Sequence, residues 1–365
     1  MAIDENFIVR TDLALEAQEM NVEADPAQTG PDGVDVTEEQ LDDIKITYVK
    51  VDPEGAERIG KKPGNYITIE SQAIRKQDTK MQDELSTCLS KQLKKLLADN
   101  GIKDSDRCLI VGLGNHRVTP DAIGPFAIDE VLVTSHLFEL QPEAVAEGYR
   151  NVSAVTPGVM GITGIETSDM IHGIIHETNP DFVIAIDALA SRSINRLNAT
   201  IQLTDTGIHP GSGVGNKRKE ISKETYGMPV FSIGIPTVVD AVTITSDTID
   251  YVLKHFGREW REKDRPSNAL SPALNPFEKR RTLTEEDLPN EEQGQAIMGM
   301  FAKLDDAEKR QLIKEVLTPL GHNLMVTPKE VDSFVEDMAH LVSAGINGAL
   351  HAVIEDSDAQ SYTKF

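Results

Sequence analysis

The chain has 365 residues, 39% of them hydrophobic and only 5% aromatic, enough for one large domain with additions or for two ordinary domains. Its formal net charge of −24 and isoelectric point of about 4.7 create a field that repels phosphate backbones and anionic lipid, so direct binding to nucleic acid or membrane is not expected. Two cysteines, Cys88 and Cys108, make no disulfide framework and suit a reducing compartment.

The first residues, MAIDENFIVRTDLALEAQ, lack a basic segment followed by an apolar run, so no signal peptide is expected. No stretch approaches the roughly 18 uninterrupted apolar residues of a membrane span. The expectation is a soluble, cytoplasmic protein. Residues 1–44 carry thirteen acidic side chains and one basic one, Arg10, and read as a mobile, solvated leader. Alternating patterns at Ile44–Val51 and Asn65–Glu70 predict short strands around the turn-rich PEGAERIGKKPG. Leu85, Cys88, Leu89, Leu93, Leu96 and Leu97 then share one face of a predicted helix over 83–97.

From Cys108 to about Phe256 short apolar strands alternate with helical segments. CLIVGL precedes a helix from Pro120, and VSAVTPG one over about 166–177. DFVIAIDA leads into a short helical segment, ATIQLTD into a glycine-rich loop, and PVFSIGI into a helix around 239–255. Strands apolar at every position are buried on both faces, which predicts an α/β three-layer sandwich around a mostly parallel, twisted sheet. An N-terminal β-rich extension and a C-terminal helical segment flank it. Residues 257–290 are polar and proline-rich and read as a connection. Residues 291–365 read as helices packed on the body or at an oligomer contact. Thr327-Pro328-Lys329-Glu330 predicts a helix start with a capping box, and Val331, Phe334, Val335, Met338 and Leu341 fall on one face.

Two carboxylates stand out by position. Asp187 ends the apolar strand FVIAID, and Asp121 falls in the first turn of the helix that follows CLIVGL. Ligands of open α/β sheets bind at the carboxyl ends of the strands, so both residues point to the same rim. A charge ending a buried strand is costly without partners. The plainer reading of Asp121 is a helix first-turn aspartate favoured by the dipole, and that of Asp187 a cap for the segment that follows.

Other motifs carry less. Gly112 and Gly114 in VGLGN suggest a tight strand-to-helix turn, but Arg117 stands where a dinucleotide fingerprint needs its third glycine. The loop GIHPGSGVGNKRKE, with Lys217, Arg218 and Lys219, suits either phosphate or a loop over a cleft. It is not a Walker A loop. His172 and His176 have a zinc-compatible spacing, but Gly173 replaces the glutamate of H-E-x-x-H. His209 is the more plausible histidine near a cleft.

Several segments carry a resemblance: VRTDLA at 9–14, VGLGN followed by VTPDAIGP, TPGVMGITGIETSDMI, PDFVIAIDALASRS, TGIHPGSGVGNKRKEIS, IGIPTVVDA and the TPKEVDSFVEDMAH tail. Over nearly its whole length the chain resembles the germination protease family of spore-forming bacteria. That family is related to the endopeptidases that mature hydrogenases. The resemblance implies an atypical aspartic endopeptidase, located in the spore core, that cuts small acid-soluble spore proteins when germination begins. It further implies a preferred site with an acidic residue, then a bulky apolar residue, then alanine; a homotetramer; and a zymogen that removes its own leader. Asp12-Leu13-Ala14 matches the site, which makes 1–12 the propeptide and leaves 13–43 as acidic leader before an α/β catalytic domain over 44–256. The family's catalytic carboxylates fall on Asp121 and Asp187. Gly114, Asn115, His209, Gly211 and Gly213 are expected to support the cleft, and no cofactor or metal is expected. The alternatives are a metal-dependent endopeptidase using Asp121, Asp187 and His209 as ligands, a non-catalytic acidic-surface binding protein, and a nucleotide-binding protein resting on the 207–219 loop.

Overall fold

The alternating and unbroken apolar runs become strands of one sheet in the computed structural model, which describes residues 11–24, 33–210, 218–261, 283–317 and 324–354. The main strands are β1 (Val34–Leu41), β2 (Ile44–Val51), β3 (Gly64–Glu70), β4 (Cys108–Gly112), β5 (Val152–Val155), β6 (Phe182–Ser191), β7 (Thr200–Thr204) and β8 (Val230–Asp240). They lie in the order β1-β2-β3-β7-β8-β6-β4-β5. The parallel part is β5-β4-β6-β8, whereas β1, β2, β3 and β7 pair antiparallel and β7 joins β8 antiparallel. The N-terminal β extension is therefore continuous with the α/β sheet.

The main helices are α1 (Ala14–Ala24), α2 (Pro53–Ile59), α3 (Thr79–Asp99), α4 (Ile123–Glu130), α5 (Thr167–Thr178), α6 (Ala241–Arg261), α7 (Glu291–Met298), α8 (Asp306–Leu317) and α9 (Val331–Leu350). Strand alternation sorts the core into two layers. Cys108 and Ile110 of β4 and Phe182, Ile184 and Ile186 of β6 pack with Leu89 and Leu93 of α3 and Val335 and Met338 of α9. Leu109 and Val111 of β4 and Val183 and Ala185 of β6 pack instead with Ile171 and Ile175 of α5. This is the three-layer α/β arrangement that the double-faced apolar strands predict.

Two compact units emerge. One holds the chain up to residue 239 and again from 327; the other is residues 240–326. The predicted helical tail at 291–365 is thus divided between the two units, and most of the predicted connection, 262–282, lies outside the described residues. The helices α6, α7 and α8 form their own unit, within which Asp287 is held by Arg258 at 3.3 Å and Arg261 at 2.8 Å. The stretch read as a leader over 13–43 is also ordered in part, as α1 and β1. Helix α1 is fixed because Ala14, Leu15 and Ala17 pack with Val34, Val49, Val51, Ile59 and Tyr66. The turn-rich segment contains α2, whose N-cap Asp52 accepts the Glu54 and Gly55 N–H groups at 2.9 Å ahead of Pro53. Helix α9 buries Val331, Phe334, Val335, Met338 and Leu341 as predicted, but without the capping box. Thr327 instead donates its hydroxyl to the Thr237 carbonyl at 2.9 Å.

Candidate active site

Strand β6 continues to Ser191, so Asp187 lies within it rather than at its end. The rim position survives on one side. The pairing of β4 with β6 stops at Gly112 opposite Ile186, and Asp187 is the first β6 residue past the end of β4. On the other side it pairs with Gly234 of β8. Asp187 is buried, 5% exposed, and its Oδ1 accepts the Ala188 N–H at 2.9 Å.

Asp121 enters from the same end of β4. It closes the short turn Thr119–Asp121, donating its N–H to the Val118 carbonyl at 2.7 Å and accepting the Asn115 N–H on its own carbonyl at 2.8 Å. Gly114 makes this possible. Its φ is +113°, and a Cβ there would lie 2.0 Å from the Asp121 carbonyl oxygen. The G-x-G-N turn therefore serves close packing around Asp121.

Burial drives the Asp121 carboxyl up to about 6, against the pull of the Arg218 charge and the Asn115 backbone N–H. Asp187 is raised well above the ordinary carboxylate range, first by burial and then by the charges of Asp121 and Asp12. The Ala188 N–H and Arg218 oppose that rise. Two carboxyls held above their usual range beside one another can divide one proton, one receiving and the other donating.

The Asp12–Leu13 junction lies at this site. Asp12 donates its N–H to the Ala190 carbonyl at 3.0 Å, and its carboxylate accepts the Ala190 N–H at 2.8 Å, three residues past Asp187. Leu13 is wholly buried. Just beyond, the buried Glu16 accepts the N–H groups of Arg192 at 2.7 Å and Ser193 at 3.0 Å and the Ser191 hydroxyl at 2.7 Å. Arg196 lies 3.3 Å from the same carboxylate.

Of the supporting residues expected from sequence, Gly114 and Asn115 are at the site. His209 instead faces Glu220 at 3.4 Å and is half exposed, and Gly211 and Gly213 lie outside the described residues. His172 and His176 sit exposed on α5. Among the described residues no three His, Cys, Asp or Glu side chains gather in a set able to hold a metal ion. Burial pushes both thiols up, Cys88 to about 11 and Cys108 further, away from nucleophilic thiolate. Sequence reasoning missed Arg218 as a neighbour of the carboxyls. Its signal was present in the basic run after the glycine-rich loop, but nothing local joins that run to Asp121 or Asp187.

A family model described as Germination protease, Peptidase A25, matches residues 14–363. The chain belongs to the germination protease family. It is similar to the germination protease of Oceanobacillus iheyensis, 60% identical over 361 residues that cover 98% of each chain. It is also similar to that of Halalkalibacterium halodurans, 59% identical over 365 residues and 98% of each chain. A third relative, from a Geobacillus species, is 59% identical over 98% of this chain and 97% of its own. As a member of this family the protein is an endopeptidase of spore germination. No helix among the described residues is long and apolar enough to cross a membrane.

Proposed function

We propose that the chain is the zymogen of an endopeptidase that cuts small acid-soluble spore proteins after an acidic residue, using Asp121 and Asp187 to activate water. The observation that carries this reading is the docking of the substrate-like Asp12-Leu13-Ala14 on β6 beside two carboxyls held above their ordinary range.

The environments of the two carboxyls divide the work. Asp187, the more deeply buried and raised well above the ordinary carboxylate range, is the member of the pair that holds the proton. Asp121, only partly buried and under the pull of Arg218, is ionised above about 6. Asp121 takes a proton from water as the water oxygen attacks the scissile carbonyl. Asp187 donates its proton to the carbonyl oxygen as charge develops there, and the tetrahedral intermediate collapses with a proton passing to the leaving nitrogen. Cleavage of the Asp12–Leu13 bond would release residues 1–12 and leave Leu13 as the new first residue. In this reading the enzyme assembles as a homotetramer and works in the spore core.

Incubation of the purified chain and its Asp187→Asn form at mildly acidic pH, read by intact mass and N-terminal sequencing, tests the scheme. Loss of residues 1–12 by the unsubstituted chain alone is the expected result. Equal processing of both forms would remove Asp187 from the mechanism. Addition of a small acid-soluble spore protein to the processed chain tests the substrate by the appearance of new termini after acidic residues.

A further inference from the structure

The Asp12–Leu13 junction is gripped by groups that the carboxyl pair does not use. Asp12 exchanges two hydrogen bonds with Ala190, one through its backbone N–H at 3.0 Å and one through its carboxylate Oδ2 at 2.8 Å. One residue earlier, Lys61 donates from Nζ to the Thr11 carbonyl at 2.7 Å. On the other side of the bond the Ala14 N–H donates to Gln202 Oε1 at 2.8 Å, and Gln202 Nε2 donates to the Asp12 carbonyl at 3.4 Å. Gln202 is itself buried in β7, 5% exposed. Contacts to main-chain atoms at Thr11, Asp12 and Ala14 fix the register of the segment without reading its sequence. Two features do read sequence: the Ala190 N–H aimed at the Asp12 carboxylate, and the ammonium of Lys61.

We propose that Lys61 and the Ala190 peptide group form the subsite that selects an acidic side chain immediately before the bond to be cut, in this junction and in acidic peptide substrates alike, with Gln202 holding the bond in register. This rests on the reading of Asp12–Leu13 as the processing site. Lys61 supplies the charge. Burial lowers the Lys61 ammonium below the ordinary lysine value, and the charges of Asp12 and Glu16 oppose that fall. A carboxylate before the cut satisfies the Ala190 N–H and attracts the cation that Lys61 holds one residue away at the Thr11 carbonyl. An amide keeps an acceptor for the N–H but loses the charge, and a lysine there loses the acceptor and opposes Lys61. Gln202 spans the bond from both sides, so it holds the scissile peptide in place whatever side chain precedes it.

The test uses the full chain and its own junction as substrate, with intact mass and N-terminal sequencing over time and a melting curve for each variant. Asp12→Asn is expected to slow cleavage by on the order of 10- to 100-fold, the range in which a charge-assisted contact discriminates. Lys61→Met should slow the unsubstituted junction and shrink the gap between Asp12 and Asp12→Asn to about threefold or less, because the charge that distinguishes them is gone. Asp12→Lys should be resistant, and the double variant Asp12→Lys with Lys61→Glu should recover cleavage. A merely structural role for Lys61 gives no such recovery. An Asp12→Asn chain cut at the unsubstituted rate, a gap that Lys61→Met leaves unchanged, or a folded charge-swapped chain without recovery overturns the assignment. If the unsubstituted chain is never cut at Asp12, the zymogen reading itself fails and the subsite falls with it. If it is cut but indifferent to residue 12 and Lys61, only the subsite is lost.

Discussion

Gly124→Ala tests how the fold sets the distance between the two carboxyls. Gly124 is the second residue of α4, and a Cβ there would lie 2.3 Å from the Leu113 carbonyl oxygen, 2.6 Å from the Leu113 nitrogen and 2.7 Å from the Ile186 carbonyl oxygen. All three are backbone atoms of the sheet edge, and the Leu113 N–H is bonded to the Ile186 carbonyl at 2.8 Å, so none is free to swing aside. The shortest contact falls about 1 Å inside ordinary packing distance, and the helix must back away by about that amount. Overpacking of this kind costs about 1–3 kcal/mol, against a helix-propensity gain of at most about 1 kcal/mol, for a net loss on the order of 1–2 kcal/mol. The larger effect falls on function. Asp121 stands at the entrance to α4 and Asp187 directly follows Ile186, so the displacement opens the pair, and a misplacement of about 1 Å costs on the order of 100-fold in rate. Urea midpoints and the rate of self-processing measure the two effects separately. An unchanged rate with a lowered midpoint would refute the claim that this contact sets the catalytic geometry.

Asp121→Asn should be more stable than the unsubstituted chain at pH 7. The folded Asp121 holds its proton up to about 6 against an ordinary value of 3.8, so its contribution is full below that ordinary value and is lost as pH rises through about 6. The gain should be on the order of 1–2 kcal/mol at pH 7 and vanish near pH 4, which melting curves at the two pH values check. His351 works in the opposite sense. Its ring accepts the Arg150 N–H and bonds the Leu132 carbonyl, and burial lowers its pKa from 6.5 to about 4. Its contribution is present above 6.5 and lost as pH falls through about 4, so His351→Gln should remove about 3 kcal/mol of acid sensitivity from the urea midpoints. Glu16→Ala strips acceptors from Ser191, Arg192 and Ser193 and leaves Arg196 less well paired. A loss of about 3 kcal/mol in unfolding free energy is expected, and a loss under about 1 kcal/mol would count against Glu16 as the clasp of that loop.

The parts of the fold legible in sequence are those whose burial is uniform. CLIVG and FVIAI are apolar on every residue because helices cover both faces, and α3 and the first half of α9 show their faces because burial falls on one side of each, whereas α9 is buried at every position from Leu341 to Leu350. Strand β1 left no such trace. It is an edge strand in which Val34 is buried and Asp35 to Leu41 are exposed, so VDVTEEQL has no reason to alternate. Helix α2 carried its cap and first-turn proline in Asp52-Pro53, but seven mostly polar residues offer too little periodicity to outweigh the turn residues around them. The burial of Glu16 was hidden for a different reason. An acidic residue in an acidic leader looks solvated, and only the backbone N–H groups of residues 191–193, far away in sequence, make it a structural ligand. Asp121 and Asp187 were visible because a carboxylate straight after an unbroken apolar run, or in the turn that follows one, is a local feature, although β6 runs on past Asp187 to Ser191. Arg218, Lys61 and Gln202 were not, because their roles exist only once β3, β6 and β7 share a sheet.

Asp12 acts on the site in two ways, and the second has a kinetic consequence. Besides binding Ala190, it is one of the charges that, after burial and Asp121, hold Asp187 above the ordinary carboxylate range. In a chain processed at Asp12–Leu13 as proposed, that charge would leave with residues 1–12, and Asp187 would grip its proton less tightly. An acidic residue of a substrate, seated at Ala190, restores the charge, and an amide in the same place restores the hydrogen bond alone. Because Asp187 must be protonated to donate, the alkaline limb of the activity profile should lie at higher pH with a peptide bearing glutamate before the cut than with its glutamine counterpart. Profiles of kcat for the two peptides on the processed enzyme measure this, since kcat reports the complex in which the side chain is seated. Coincident alkaline limbs would mean that the acidic side chain is recognised for binding alone and has no part in keeping the proton on Asp187.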